Sequence, residues 1–380
     1  MREIYLDNCA TTRTDPDVAG VALKLMTTYY GNPSSLHKKG LEAQLLLEQA
    51  RGKIASALGC EPQEIYFTSG GTEANNLAIL GAFWAHHRRA KGVVGTQTEH
   101  SSVLGALRHL SQQGASVTLT PPSQDSCADP KSITDCIDEN TLLVSCALVN
   151  SEVGGVSPIG EISSAVRAKN SRTLVHCDAV QAFGKLPVSV KKLGVDLLSV
   201  SGHKLHAPKG IGALYIRRGV RISPLMHAGE QQAAIRPGTE STPLACAFGT
   251  AVEKITGEMQ QNFNKYSHFR ELFLEKAQNI QGVCINSARK ETPYICNVSV
   301  LGYRSETMLH FLAERGIYVS GGSACSKGRD SHVLTAIGLP RERIQSALRV
   351  SFCKDNTEQD IEDFFEALQQ GMSQLARSKP

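Results

Sequence analysis

The chain has 380 residues, is 41% hydrophobic and 20% charged, and carries a formal net charge of +4. This suits a water-soluble globular enzyme with a large buried core, and so small a charge makes no demand for nucleic acid or an anionic membrane as partner. The N-terminus, Met1-Arg2-Glu3-Ile4-Tyr5-Leu6-Asp7, has acidic groups where a secretion signal needs an apolar run. No apolar stretch reaches the roughly 18 residues of a membrane span, so a cytoplasmic chain is expected.

In chain order, short β-branched runs predict strands at Glu64–Thr68, Gly92–Thr96, Ser116–Thr120, Thr141–Leu148, Thr173–Cys177, Leu197–Ser201 and Gly212–Ile216. Helical stretches fall between several of them, at Glu73–His86, Ser102–Gln112 and Gly160–Lys169. Such alternation predicts an α/β fold, with a mostly parallel seven-stranded sheet covered by helices on both faces. Beyond about residue 255 the pattern changes. A polar helix at Glu258–Ala277 leads into extended segments at Ile295–Val300 and Ile317–Val319, and a last helix at Thr357–Ala376 closes the chain. The expected division is a large domain over 15–255, with 1–14 and 256–380 forming a smaller α+β domain.

The 11 cysteines include no CxxC pair, so no metal site is expected, and an odd count without a secretion signal argues against a disulfide framework. Most lie in apolar contexts and read as inert core thiols.

In open α/β sheets, ligands bind beyond the carboxyl ends of the strands, and that is where the chemistry-bearing residues fall. Ser201-Gly202-His203-Lys204 follows an apolar strand and suits a buried Schiff-base amine with a phosphate held nearby. Asp178, with Gln181 one turn later, ends another strand. Such a carboxylate can pair with a protonated pyridine nitrogen, or simply cap a helix. Ser69-Gly70-Gly71-Thr72-Glu73 is a strand–turn–helix junction whose free N–H groups make a phosphate cradle. It lacks both the GxxxxGK[ST] and the GxGxxG patterns, which disfavours a nucleotide. His100 and Asn150 follow two further strands; His100 is placed to stack on an aromatic ring or to serve as a cap.

These segments, together with Tyr5–Thr12, Gly31-Asn32-Pro33-Ser34-Ser35 and Thr98-Glu99-His100, resemble in order the motifs of class V, fold-type I pyridoxal-phosphate enzymes. More narrowly, they resemble cysteine desulfurases of the NifS/IscS type. The resemblance implies pyridoxal 5'-phosphate bound through Lys204, Asp178 at the pyridinium nitrogen, Gln181 at the phenolic oxygen and His100 on the ring. It places Gly71, Thr72, Ser201 and His203 at the phosphate, and has Thr239 reach the phosphate of a neighbouring subunit. Asn32, Asn150 and Arg349 would bind the L-cysteine carboxylate and a cofactor oxygen, a guanidinium fork matching a carboxylate bidentately. Cys325, in the small-residue stretch Ser320–Gly328 beside Lys327, would take the substrate sulfur as a persulfide. A homodimer and a separate sulfur-acceptor protein are implied, serving iron–sulfur cluster assembly or tRNA thiolation.

Some positions depart from the common pattern: Ser151 after Asn150, Gly71 where Ala is frequent, His206 where an aromatic residue is common, and a short Ser326–Asp330 tail. A selenocysteine lyase of the same fold and an inactive sulfur-transfer scaffold are the competing readings.

Overall fold

The computed structural model describes residues 2–123, 126–287, 291–321 and 330–377. Cys325 and its neighbours in 322–329 lie outside the described residues.

The β-branched runs line up as one seven-stranded sheet. Its strands stand in the order Ile65–Thr68, Gly212–Ile216, Leu197–Ser201, Leu174–Asp178, Thr141–Ala147, Gly92–Thr96 and Ser116–Thr120. Five neighbouring strands run parallel, and Gly212–Ile216 runs antiparallel to both of its neighbours. Every residue of Leu197–Ser201 and Gly212–Ile216 is buried, as expected where both sheet faces are covered.

The helix Gly71–His86 crosses one face, and its Ala74, Leu77, Ala78 and Ala82 pack with Leu197 and Leu214. Two helices absent from the strand–helix reading, Pro16–Thr27 and Lys38–Leu58, pack on Thr242–Gly257 instead. The first starts where Asp15 accepts from the amides of Asp17 and Val18 ahead of Pro16. The second ends at Gly59, whose φ of 71° is the left-handed conformation glycine adopts cheaply.

A three-stranded antiparallel sheet carries the rest, in the order Ala347–Ser351, Ile295–Val300, Val283–Ile285. The helices Met259–Gln278 and Glu358–Gln374 lie against each other through Phe273, Phe364 and Phe365, with ring centroids 4.9 to 5.8 Å apart. Burying each such ring contributes about 1.5–3 kcal/mol. The chain's beginning joins this part: Ile4–Tyr5 pairs in parallel with Ile317–Tyr318, and the Ser351 amide donates to the Leu6 carbonyl. The segment that follows, Asp7–Thr12, is thereby carried across to the carboxyl edge of the large sheet.

Candidate active site

At that edge opens a cavity of about 630 Å³. Lys204 lies just past the strand Leu197–Ser201, in a single helical turn over Gly202–Lys204. Its Nζ donates to the carbonyls of Cys9 (2.5 Å) and Ala10 (2.7 Å). Burial lowers its amine from the usual range to about 8, and nearby cationic groups including Lys185 and Arg349 add to the effect. A lysine lowered this far offers far more free base near neutrality than an ordinary lysine, as a Schiff-base amine requires.

Asp178 ends the neighbouring strand. Its Oδ2 accepts from Asn75 Nδ2 at 2.7 Å and its Oδ1 from the Val180 amide at 3.0 Å, so it caps the turn after its own strand while a side chain fixes its other oxygen. Asn75 also donates to Ser102 Oγ (2.9 Å), and Ser102 Oγ is 2.8 Å from His100 Nδ1. His100 caps the helix Ser101–Gln112 with that same nitrogen, while its ring faces the cavity. Burial lowers its basicity, with the Asp178 charge opposing. Glu99 beside it is fully buried and pushed up to about 8, so it holds its proton at neutral pH.

Gly70, at a φ of 151°, leaves the helix Gly71–His86 without a side-chain cap, and its N-terminal amides open on the cavity. A Cβ on Gly71 would lie 2.8 Å from Val180 Cγ2, and one on Gly212 would lie 2.6 Å from the Val200 carbonyl, so these backbones pack too closely for side chains. Ser201 Oγ and Gln181 Oε1 are buried on the cavity wall without a hydrogen-bond partner. His203, lowered to about 4 by burial and then by Lys204, is held at 3.2 Å by Thr11 Oγ1.

Arg349 comes from the small sheet. Its Nη1 donates to the Ser151 carbonyl (3.0 Å) and its Nη2 to Asp7 Oδ1 (2.7 Å), while Nε is buried and unpartnered. Asn150 donates to the Thr98 carbonyl and accepts from the amides of Glu152 and Val153, which fixes the turn that carries Ser151.

The cavity thus gathers Gly71, Thr72, His100, Asn150, Asp178, Gln181, Ser201, His203, Lys204 and Arg349. Asn32 and Thr239 are exposed and do not line it within this chain. Cys325 lies outside the described residues, but the chain on either side of it is fastened to the cavity rim. Ser320 and Arg349 exchange backbone hydrogen bonds, Ser331 Oγ donates to Glu152, and His332 Nε2 donates to the Glu99 carbonyl. Sequence reasoning missed Asn75 and Ser102. A helical Asn one turn inside an N-terminus is a weak clue by itself, and only the sheet brings it to Asp178.

The family model described as "Aminotransferase class-V" matches residues 4–364. The chain is 38% identical over its full length, and over 94% of the relative, to "Cysteine desulfurase IscS" of Methanosarcina thermophila. It is 40% identical to "Cysteine desulfurase, mitosomal" of Encephalitozoon cuniculi, over 92% of this chain and 82% of that one. A solved structure titled "NIFS-LIKE PROTEIN" superposes with a TM-score of 0.94 at 36% identity, covering 98% of this chain and all of that one.

Proposed function

Because this chain belongs to the class-V aminotransferase family, as a cysteine desulfurase of the NifS/IscS type, we propose that its cavity binds pyridoxal 5'-phosphate and converts L-cysteine to L-alanine with transfer of sulfur to Cys325. The observation that carries this reading is the lowered Lys204 amine facing, across one cavity, a buried Asp178 and an unpartnered Arg349 Nε.

The residues present fit the cofactor. The uncapped helix start at Gly71 and Thr72, with the unpartnered Ser201 hydroxyl and His203, supports a phosphate subsite. Asp178, held by Asn75, would pair with a protonated pyridine nitrogen, Gln181 would meet the phenolic oxygen, and His100 would stack on the ring. The bound cofactor supplies an electron sink for the bond between hydrogen and the substrate α-carbon. Arg349 Nε and Asn150 bind and orient the substrate carboxylate, which places the α-hydrogen before Lys204. Lys204 takes that proton, and His100 moves protons at the ring face. The Cys325 thiolate attacks the substrate sulfur and forms the S–S bond as the C–S bond breaks; the β-carbon keeps that electron pair and takes up a proton, the α-carbon regains the hydrogen Lys204 removed, and the product leaves as alanine.

A homodimer accounts for Asn32 and Thr239, which are exposed here, and for six large apolar side chains exposed between residues 23 and 45. In that assembly the two residues serve the partner's cavity. The two-domain reading, 15–255 against 1–14 with 256–380, is supported by the separate small sheet and by the pairing of Ile4–Tyr5 with Ile317–Tyr318. Among the described residues no helix is long and apolar enough to cross a membrane. We place the enzyme in a reducing cytoplasm, passing sulfur to an acceptor protein for iron–sulfur cluster assembly, with tRNA thiolation the alternative route.

The test compares wild type with Cys325→Ala. Wild type releases alanine and sulfide from L-cysteine; the variant keeps its yellow colour and loses sulfur transfer. A variant that turns over cysteine like wild type points to a lyase of other specificity, selenocysteine lyase first. Colourless, inactive wild type points to a scaffold.

A further inference from the structure

Outside the cavity lining, beginning two residues after Lys204, three potential ligand side chains meet that the proposed reaction does not use. We propose that His206, Cys353 and Asp355 bind one thiophilic divalent cation, with zinc as the probe. The cation would tie the loop carrying Lys204 to the turn that follows the last strand of the small sheet.

The ligand atoms of the three side chains lie within 4.8 Å of one another, and His206 Nδ1 is 4.0 Å from Asp355 Oδ2. His206 and Cys353 are buried, while Asp355 is exposed and gives the ion a way in. His206 Nδ1 is 2.9 Å from the Arg13 carbonyl. A carbonyl only accepts, so Nδ1 carries the hydrogen in the metal-free chain; the ion would replace that hydrogen on Nδ1, the nitrogen 4.0 Å from Asp355, and the neutral ring would then carry its hydrogen on Nε2. The His206 backbone is itself fixed at a φ of 62°, its amide donating to Thr12 Oγ1 at 2.8 Å.

Cys353 supports the assignment from the other side. The amides of Asp355 and Asn356 are directed at its sulfur and favour the thiolate, although burial still pushes the thiol up to about 11. A zinc ion would displace that proton. Thiolate, carboxylate and zinc then sum to zero charge, which removes the cost of burying a lone ion. Zinc–sulfur and zinc–nitrogen bonds are about 2.3 and 2.0–2.1 Å long. The three atoms therefore need to close by roughly an ångström on those bond lengths, and the exposed Asp355 is free to supply the movement. Two cations border the site: Lys354, already paired with Asp15 at 3.0 Å, and the buried Lys185, whose Nζ lies 4.9 Å from the centre of the Tyr294 ring. With three protein ligands a fourth position stays open for water. The sequence hides all of this, because His206 stands 147 residues before Cys353 and no CxxC spacing announces it.

The experiment is equilibrium dialysis of zinc against the pyridoxal-phosphate-loaded protein in a Cys325→Ser background, which removes the reactive thiol. The expected result is one zinc per chain, with affinity falling at least tenfold in Cys353→Ser and in Asp355→Asn. Zinc should also slow alkylation of Cys353 without slowing that of Cys60. Asp355 is exposed, so Asp355→Asn decides the matter if Cys353→Ser fails to fold. Equal zinc binding in the background protein and in Asp355→Asn would overturn the site, as would the absence of zinc from the background protein.

Discussion

Replacing Arg349 with Lys keeps the charge and removes the fork. In the structure two of the guanidinium nitrogens are already committed, to Ser151 and Asp7, and only Nε remains unpartnered. A lysine has one nitrogen for all three tasks, so at least one charge-assisted hydrogen bond to the substrate carboxylate is lost. Such a bond is worth about 1.5–3 kcal/mol, which is a fall of roughly 10- to 150-fold in kcat/KM for L-cysteine. The assay is steady-state sulfide release under a thiol reductant at saturating cofactor, run in parallel with cysteamine, which lacks the carboxylate. Wild type should prefer cysteine strongly, and Arg349→Lys should lose most of that preference while its rate on cysteamine holds. If the variant keeps its preference for cysteine with a folded, coloured protein, Arg349 does not bind the carboxylate and this account of the site is wrong.

Three further outcomes are expected. Asn75→Ala leaves Asp178 Oδ2 without its 2.7 Å donor and should lower kcat about tenfold with KM little changed, on the scale of one hydrogen bond to a charged group; an unchanged kcat would mean that Asp178 needs no help in holding its place. Folded Glu99 keeps its proton up to about pH 8, against 4.5 in its ordinary range, because it is buried. The native chain therefore binds the extra proton across that window, and stability falls as pH rises through it. Glu99→Gln should flatten this slope by on the order of 2 kcal/mol between about pH 5.5 and 7.5, measured by urea unfolding at the two pH values; parallel slopes would show that Glu99 ionises freely in the folded protein. Phe364→Ala removes a fully buried ring stacked at 5.8 Å on Phe273 and should cost about 3–5 kcal/mol; a loss under 1 kcal/mol in the same assay would mean the two helices do not depend on that contact.

The large sheet was legible because its signals are local. All seven of its strands begin and end within one residue of the β-branched runs that predict them, and Gly92–Thr96, Ser116–Thr120, Leu197–Ser201 and Gly212–Ile216 match at both ends. Residues at strand ends such as Asp178 and Lys204 follow from the same runs, since ligands gather at the carboxyl edge of such a sheet. The pattern did not give direction: an apolar five-residue run reads the same parallel or antiparallel, so the reversal of Gly212–Ile216 appears only in the pairing. The strand Ala347–Ser351 went unread too, although it carries Arg349.

The sequence by itself thus determined the strands of the large sheet, through strand–helix alternation its mostly parallel character, and the residues waiting at its edge, because helix and strand periodicity and glycine turns act over a few neighbouring residues. Only tertiary structure decided that the Cys9 and Ala10 carbonyls would hold the Lys204 amine, that Arg349 would arrive from another sheet, and that Asn75 would orient Asp178. Those contacts join residues 103 to 342 positions apart. Packing of the whole core sets such distances, and nothing in the spacing along the chain records them.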